Sequence, residues 1–197
     1  MVALARFGAQ GQWEETWVCD GLVREHLGPA GVRFGRWPVR PLALPAGDGP
    51  AGAQAVRSAY GEELQALGPD FALHSADRVA VAPGDPRWPA LRREFLAEHR
   101  HGDAEVRLFL AGTGLFTLRS GQGFLGLLCE AGEWVLLPAG LAHSFDAGEA
   151  PAFEALRLFG QPQGWLAHPT GAARPALPLY DDFVAQLLEQ VGEDLAE

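Results

Sequence analysis

The sequence predicts a mainly β fold with a mixed α/β part at its N terminus and a helix at its C terminus. From residue 95 onward, short apolar segments alternate with turn residues, a spacing typical of a β sandwich or barrel. The 25 glycines and 15 prolines suit the many turns of such a fold. Near the C terminus, Phe183, Leu187, Leu188 and Val191 form an apolar stripe at helical spacing. We therefore expect a β core followed by one amphipathic helix.

The first third of the chain is expected to contain short elements of both kinds. Asp20 is a candidate N-cap for a helix, which Gly28 and Pro29 would end. Val56, Tyr60 and their apolar neighbours indicate a second helix. In order, we predict strands at 3–7 and 15–18, a helix at 20–27, a strand at 32–37, a loop at 38–52 and a helix at 53–67.

Seven further strands are predicted in the second half of the chain, followed by a Pro- and Ala-rich connection at 168–178. The strands are 95–101, 106–110, 114–119, 123–129, 133–137, 144–147 and 153–159, and the C-terminal helix spans 180–191. A chain of 197 residues, 48% of them hydrophobic, fits one domain with a sizeable core. We expect a single domain over 1–197, with flanking elements at 1–90, the barrel core at 91–167 and the tail and helix at 168–197.

Composition excludes several classes of partner. The formal net charge of −10 argues against nucleic acid and anionic membranes, both of which require basic surfaces. There is no apolar run long enough to span a membrane, and the first residues do not resemble a signal peptide. Cys19 and Cys129 are too few for a disulfide scaffold. We expect a cytoplasmic protein, and a monomer because no long apolar surface strip is evident.

One short stretch carries a metal-binding pattern. His99 and His101 lie two residues apart, so on a strand both imidazoles face the same side. Glu105 follows four residues later, and His143 ends a segment rich in turn residues. Three imidazoles and a carboxylate would leave two positions open on an octahedral ion. Such a set suits iron, nickel, cobalt or manganese better than a structural zinc ion.

Strand alternation extends this candidate site. Arg107 shares a face with Glu105, and a guanidinium there favours an anionic substrate that chelates the metal through two oxygens. Phe145 shares a face with His143, and Phe95 shares one with His99 if 95–101 is a strand. By spacing alone these aromatic side chains fit a hydrophobic core as well as a pocket wall.

Two segments resemble the motifs of the cupin superfamily, whose members are small jelly-roll β-barrels. Residues 99–112 have the first motif (HxH, three residues, Glu, six residues, Gly), and residues 132–143 have the second (Gly, five residues, Pro-x-Gly, two residues, His). Arg93 stands where the first motif usually begins with glycine, and Ala147 stands where the second often ends with asparagine.

Within the cupins, the chain most resembles the acireductone dioxygenase family of methionine salvage. The resembling segments are 95–101 (FLAEHRH), 105–109 (EVRLF), 112–116 (GTGLF), 138–146 (PAGLAHSFD), 164–167 (GWLA) and 170–171 (TG), together with 31–37 (GVRFGRW) and 75–77 (SAD). The resemblance spans roughly the whole chain.

This resemblance implies a complete active site. It implies one Fe(II) or Ni(II) per chain, with His99, His101, Glu105 and His143 as ligands, and Arg107 as the residue that promotes the substrate dianion. Phe95, Phe145 and Trp165 would line the pocket, and Glu98 would assist metal incorporation. The substrates would be 1,2-dihydroxy-3-keto-5-methylthiopentene and dioxygen. The iron form would yield 4-methylthio-2-oxobutanoate and formate, and the nickel form 3-methylthiopropanoate, formate and carbon monoxide.

The chain departs from the family at two positions, and other functions remain open. The family usually has an acidic residue at position 104 and a large aromatic residue at 144, where this chain has Ala104 and Ser144. A cupin sugar isomerase or epimerase is one alternative, disfavoured because the chain contains no lysine. A non-catalytic ligand-binding cupin is another, although such proteins often lose a metal ligand and all four are present here.

Overall fold

Eleven strands and four α-helices form the part of the chain that the computed structural model describes, residues 2–44 and 50–194. The strands are β1 (Ala3–Phe7), β2 (Trp13–Trp17), β3 (Arg33–Arg36), β4 (Ser75–Val81), β5 (His99–His101), β6 (Glu105–Ser120), β7 (Gly123–Glu130), β8 (Glu133–Leu137), β9 (His143–Asp146), β10 (Phe153–Phe159) and β11 (Ala167–Pro169). The helices are α1 (Asp20–Leu27), α2 (Pro50–Ala66), α3 (Trp88–Leu96) and α4 (Tyr180–Asp194).

The strands form two antiparallel sheets that share β6. The first sheet has the order β11-β5-β9-β6-β7-β1-β2, and the second has the order β4-β10-β6-β8-β3. Apolar side chains from both sheets meet in a common interior, among them Leu127 and Phe116 from the first and Val135 and Phe153 from the second. The mainly β fold with a C-terminal helix is therefore confirmed.

Helices cover the outer faces of both sheets. Val106 and Leu108 of β6 face outward and pack in one buried cluster with Val56 and Tyr60 of α2. On the other sheet, Phe183 and Leu187 of α4 pack against β1 and β7 in a separate cluster. Neighbouring positions along β6 therefore serve different layers, because alternate side chains of a strand point to opposite faces. Within the described residues, no helix is both long and apolar enough to cross a membrane.

Strand β6 is continuous where the sequence predicted two strands, and this corrects the expected break at Gly112. Its first half pairs with β8 and β10, and its second half pairs with β7 and β9. The pairing of β6 with β10 shifts by one residue between Ala155, which lies opposite Phe109, and Glu154, which lies opposite Ala111. Leu110 therefore has no partner in β10 and forms a β-bulge. Odd positions such as Phe109 face the interior before this bulge, and even positions such as Phe116 do so after it. The glycine therefore marks a bend between sheets rather than the end of a strand.

Phe95 lies on a helix and not on the predicted strand at 95–101. Helix α3 includes Phe95, and β5 starts only at His99. Pro89 in the first turn and the helix-favouring residues after it explain this outcome. The shared-face argument for Phe95 and His99 was therefore wrong.

Strands β4 and β11 were not predicted. The charged residues Asp77 and Arg78 of β4 interrupt the alternation of apolar and polar residues that would have indicated a strand. β4 pairs with β10 along its whole length. β11 is an exposed three-residue strand that pairs with β5 and overlaps the start of the expected connection 168–178. Helix α2 starts at Pro50 rather than at residue 53, and the remaining predicted loop includes residues 45–49, which lie outside the described residues.

We predict that Gly112→Ala destabilises the fold more than Gly121→Ala does. Both glycines have positive φ angles, 67° and 57° respectively, so each substitution carries a backbone cost of about 1–3 kcal/mol. An added Cβ at Gly112 would lie 1.7 Å from the backbone oxygen of Ala152, whereas nothing lies within 4 Å at Gly121. Urea unfolding of both variants measures the difference. Equal losses of unfolding free energy would contradict this role for Gly112.

Candidate metal centre

Three histidines from two neighbouring strands of the first sheet converge. His99 and His101 extend from β5 on one face, as their spacing predicted, and His143 of β9 lies directly opposite His99 in the strand register. One nitrogen of each imidazole can be chosen so that the three atoms lie within 4.8 Å of one another. Such a spacing allows one ion to contact all three rings.

Backbone carbonyl groups orient the three imidazoles. Nδ1 of His99 donates to the oxygen of Ala97 at 2.8 Å, and Nδ1 of His143 donates to the oxygen of Leu141 at 2.9 Å. Nδ1 of His101 donates to the oxygen of Leu166 at 3.1 Å. Because a carbonyl oxygen only accepts hydrogen bonds, each Nδ1 carries the proton and each Nε2 presents a lone pair. The rings are thus held in the tautomer that binds metals.

Glu105 reaches the histidines from the start of β6 and is almost fully buried. Its Oε2 atom lies 3.4 Å from Nε2 of His101 and 3.6 Å from Nε2 of His143. Within the described part of the chain, this buried oxygen has no hydrogen-bond partner. A carboxylate oxygen facing imidazole lone pairs is unfavourable unless a cation lies between them. The donor set therefore fits a divalent ion.

The charges of these groups also suit metal binding. Burial lowers the pKa of His99 to about 4 and also lowers the pKa of His101, so both rings are neutral near pH 7. Burial acts to raise the pKa of Glu105, but opposing interactions, the largest of them with the Arg107 guanidinium, hold that pKa well below its usual range. Neutral imidazoles and an ionised carboxylate are the forms that bind metals.

Arg107 is buried beside Glu105, as strand alternation predicted. Its Nη2 and Nε atoms donate to Oε1 of Glu105 at 2.6 and 3.1 Å. Its guanidinium carbon lies 5.7 Å from the ring centre of Phe116 and 5.6 Å from that of Phe145. Nη1 is buried and makes no hydrogen bond to any described residue. Arg107 therefore holds one ligand candidate and has a donor left for a bound anion.

The histidines and Arg107 line a cavity of about 420 Å³, whose wall also includes residues of α3 and β4. All three aromatic residues expected in the pocket line it. Phe95 enters from the end of α3 and packs edge-on against Phe145, with 5.8 Å between ring centres. Phe145 is buried, whereas Trp165 in the loop before β11 is 41% exposed. Seven of the nine predicted site residues therefore line one cavity, and an eighth, Glu105, lies beside His101, Arg107 and His143.

Glu98 is the ninth predicted site residue, and its carboxylate is bound away from the three histidines. It precedes His99 and faces the other side of β5, where Oε2 accepts a hydrogen bond from Nε of Arg119 at 3.0 Å. Its Oε1 accepts from the Thr170 hydroxyl at 2.7 Å. The expected role of Glu98 in metal incorporation stays a prediction.

Several cavity residues were missed by sequence reasoning. Val79 lies on an unpredicted strand, and Leu91 lies on an unpredicted helix. Arg157 lies opposite Arg107 in the register of β10 and β6, and it forms an ion pair with Asp77. Strand alternation along 153–159 gives the face of Arg157, but only the pairing of β10 with β6 reveals its neighbour.

Comparisons with known proteins support the fold and identify the family. Residues 62–167, more than half of the chain, match the model of the ARD/ARD′ family. An acireductone dioxygenase of Cronobacter sakazakii is 39% identical over 175 residues, which cover 87% of this chain and 94% of that protein. One from a Synechococcus species is 42% identical over 146 residues, 74% of this chain and 78% of that protein.

A solved structure resembles this chain in fold. The acireductone dioxygenase from Bacillus anthracis with a cadmium ion in its active centre superimposes with a TM-score of 0.68, over 85% of this chain and 97% of that one. The sequence identity of 19% limits this likeness to the fold, which agrees with the expected cupin architecture. Given the matching family model and the relatives about 40% identical over most of its length, this chain belongs to the ARD/ARD′ family.

Proposed function

We propose that this protein is an acireductone dioxygenase, which cleaves 1,2-dihydroxy-3-keto-5-methylthiopentene with dioxygen in methionine salvage. Family membership supports this activity. The observation that carries the proposal is the arrangement of three oriented imidazoles and a buried guanidinium at one cavity, with an unpaired carboxylate oxygen next to them. This arrangement suits an oxygen-rich anion that binds next to a divalent metal ion.

We assign His99, His101, Glu105 and His143 as the residues that hold one Fe(II) or Ni(II) ion per chain. Bound there, the ion would supply Lewis-acid and redox chemistry toward an enediol and dioxygen. Iron-loaded protein would yield 4-methylthio-2-oxobutanoate and formate. Nickel-loaded protein would yield 3-methylthiopropanoate, formate and carbon monoxide.

Arg107 is the residue that favours the substrate dianion in this proposal. The charges of Arg107 and Glu105 cancel, so a divalent ion would leave the centre with a surplus of positive charge. A positive environment lowers the pKa of an enediol and favours its doubly deprotonated form. The Nη1 donor of Arg107, free of hydrogen bonds to the described residues, can bind a substrate oxygen directly.

The aromatic wall accounts for the apolar end of the substrate. Phe95, Phe145 and Trp165 offer ring faces and edges to a methylthio group, and sulfur makes favourable contacts with aromatic rings. The ring centre of Phe145 also lies 5.6 Å from the guanidinium carbon of Arg107, and an apolar neighbour strengthens the electrostatic effect of that charge on a bound anion.

We further propose that the enzyme acts in the cytoplasm as a monomer of one cupin-type domain, without nucleic acid or membrane partners. Its acidic net charge supports the absence of polyanionic partners.

Replacement of any assigned metal ligand by alanine should reduce Ni(II) affinity by at least about 100-fold. Loss of a residue that only hydrogen-bonds to a ligand costs about 10- to 100-fold, and loss of the ligand itself should cost more. The four variants are His99→Ala, His101→Ala, Glu105→Ala and His143→Ala. Competition with a chromophoric chelator measures the affinity. His168→Ala, on the exposed strand β11, is the matched control and should bind Ni(II) like the wild type. Wild-type affinity in any of the four would remove that residue from the assigned set.

Separately loaded iron and nickel forms should both consume the acireductone aerobically and release formate. Carbon monoxide should come from the nickel form alone. Headspace gas analysis and chromatography of the acids measure the products, with metal-free protein as the control. Consumption no faster than in that control would contradict the proposed function.

Arg107→Ala should lower kcat by about 100- to 1000-fold, the usual cost of losing a donor that stabilises developing negative charge. Metal content should remain measurable, because all four assigned ligands are still present. Steady-state kinetics of the metal-loaded variant gives kcat. Arg24→Ala, on the exposed face of α1, is the control and should keep wild-type turnover. A wild-type kcat for Arg107→Ala would exclude a catalytic role for Arg107.

A further inference from the structure

Asp103 connects the turn between β5 and β6 to a loop that reaches the cavity. Its Oδ2 atom accepts hydrogen bonds from the backbone N–H groups of Gly160 at 2.6 Å and Gln161 at 2.8 Å. Gly164 packs closely on the same side chain, since a Cβ added there would lie 2.7 Å from Oδ2. One carboxylate thus contacts the loop formed by residues 160–166 both at its start and at Gly164.

This loop carries two groups that act on the candidate metal centre. The carbonyl oxygen of Leu166 accepts the hydrogen bond from Nδ1 of His101, which orients that ring. Trp165, the preceding residue, forms part of the cavity wall. Two internal hydrogen bonds, Gly164 N–H to Gln161 O at 3.2 Å and Leu166 N–H to Gln163 O at 3.1 Å, make the loop compact. A compact loop transmits the position of its anchored end to Leu166.

Without Asp103, few contacts would hold this loop in place. Beyond it, the three-residue strand β11 is exposed and pairs with β5, where Ala167 lies opposite His101. Trp165 and Leu166 are 41% and 37% exposed, so little apolar burial stabilises the segment. The carboxylate of Asp103 lies on the same short turn that separates His101 from Glu105. The loop is therefore tied directly to the segment that carries three of the four assigned ligands.

We propose that Asp103 is a positioning residue, which holds the 160–166 loop so that Leu166 orients His101 and Trp165 closes the cavity wall. The role rests on the proposed function, because it concerns the assigned metal ligand His101. It depends on the ability of Asp103 to accept two hydrogen bonds and not on its negative charge. Loss of the acceptor releases the Leu166 carbonyl, and the imidazole of His101 then loses its fixed tautomer.

Two independent measurements test this role, and neither requires turnover. Asp103→Ala should speed amide hydrogen exchange in the 160–167 segment by at least about tenfold, because its anchoring acceptor is lost. The same variant should bind Ni(II) about tenfold more weakly, as expected when an outer partner of a ligand is removed. Gly164→Ala should have both effects, since its methyl group would push the loop away from Asp103. Asp103→Asn should restore both properties, because its amide oxygen still accepts.

Asp181→Ala is the matched control. Asp181 also accepts a hydrogen bond from a backbone N–H group, that of Glu149 at 3.0 Å, but at the start of α4. The Asp181→Ala substitution should leave Ni(II) affinity and amide hydrogen exchange in the 160–167 segment unchanged. Wild-type Ni(II) affinity in Asp103→Ala would overturn the positioning role while the proposed function stands. If Asp103→Asn failed to restore Ni(II) affinity and slow amide exchange, the positioning role would also be overturned, because the negative charge of Asp103 would then be required. Wild-type protein that binds no Ni(II) would overturn the proposed function and this role together.

Discussion

The ion pair between Glu105 and Arg107 is the interaction on which the interior of this protein depends. Both side chains are buried in the interior between the two sheets, which is filled mostly by aliphatic and aromatic groups. A lone charge there would be costly, and the pair is tolerable because Arg107 satisfies one carboxylate oxygen with two hydrogen bonds. The other oxygen remains directed at the imidazoles. One pair of residues thus balances the buried charges and leaves one carboxylate oxygen that suits a cation.

Strand β6 places this pair because it belongs to both sheets. The histidines extend from the first sheet, whereas Glu105 and Arg107 lie on the part of β6 that pairs within the second. The centre therefore lies between the sheets and forms only when they pack together. The bulge at Leu110 and the bend at Gly112 allow one strand to contribute to both sheets while Phe109 and Phe116 both face inward. Packing of the two sheets against each other therefore also assembles the site.

The orientation of the histidines depends on backbone and not on other side chains. The three carbonyl acceptors belong to separate connections: Ala97 after α3, Leu141 before β9 and Leu166 before β11. Leu141 packs against the core, and the turn before it is held by backbone hydrogen bonds from Gly140 N–H to His101 O at 2.9 Å and from Leu141 N–H to Pro138 O at 3.2 Å. The exposed loop before β11 has less apolar burial, and the contacts of Asp103 with it become important for this reason.

The sequence alone determined the local features of the site. The two-residue spacing of His99 and His101, the shared face of Glu105 and Arg107, and the motif around His143 follow from strand periodicity and from resemblance to a family that the comparisons confirm. Tertiary structure decided what depends on contacts distant in sequence. It brought Phe95 to the cavity from a helix, turned Glu98 away, joined two expected strands into β6 and supplied the Leu166 carbonyl. Periodicity reports which side of one element a residue faces, whereas pairing and packing between elements determine which groups it meets there.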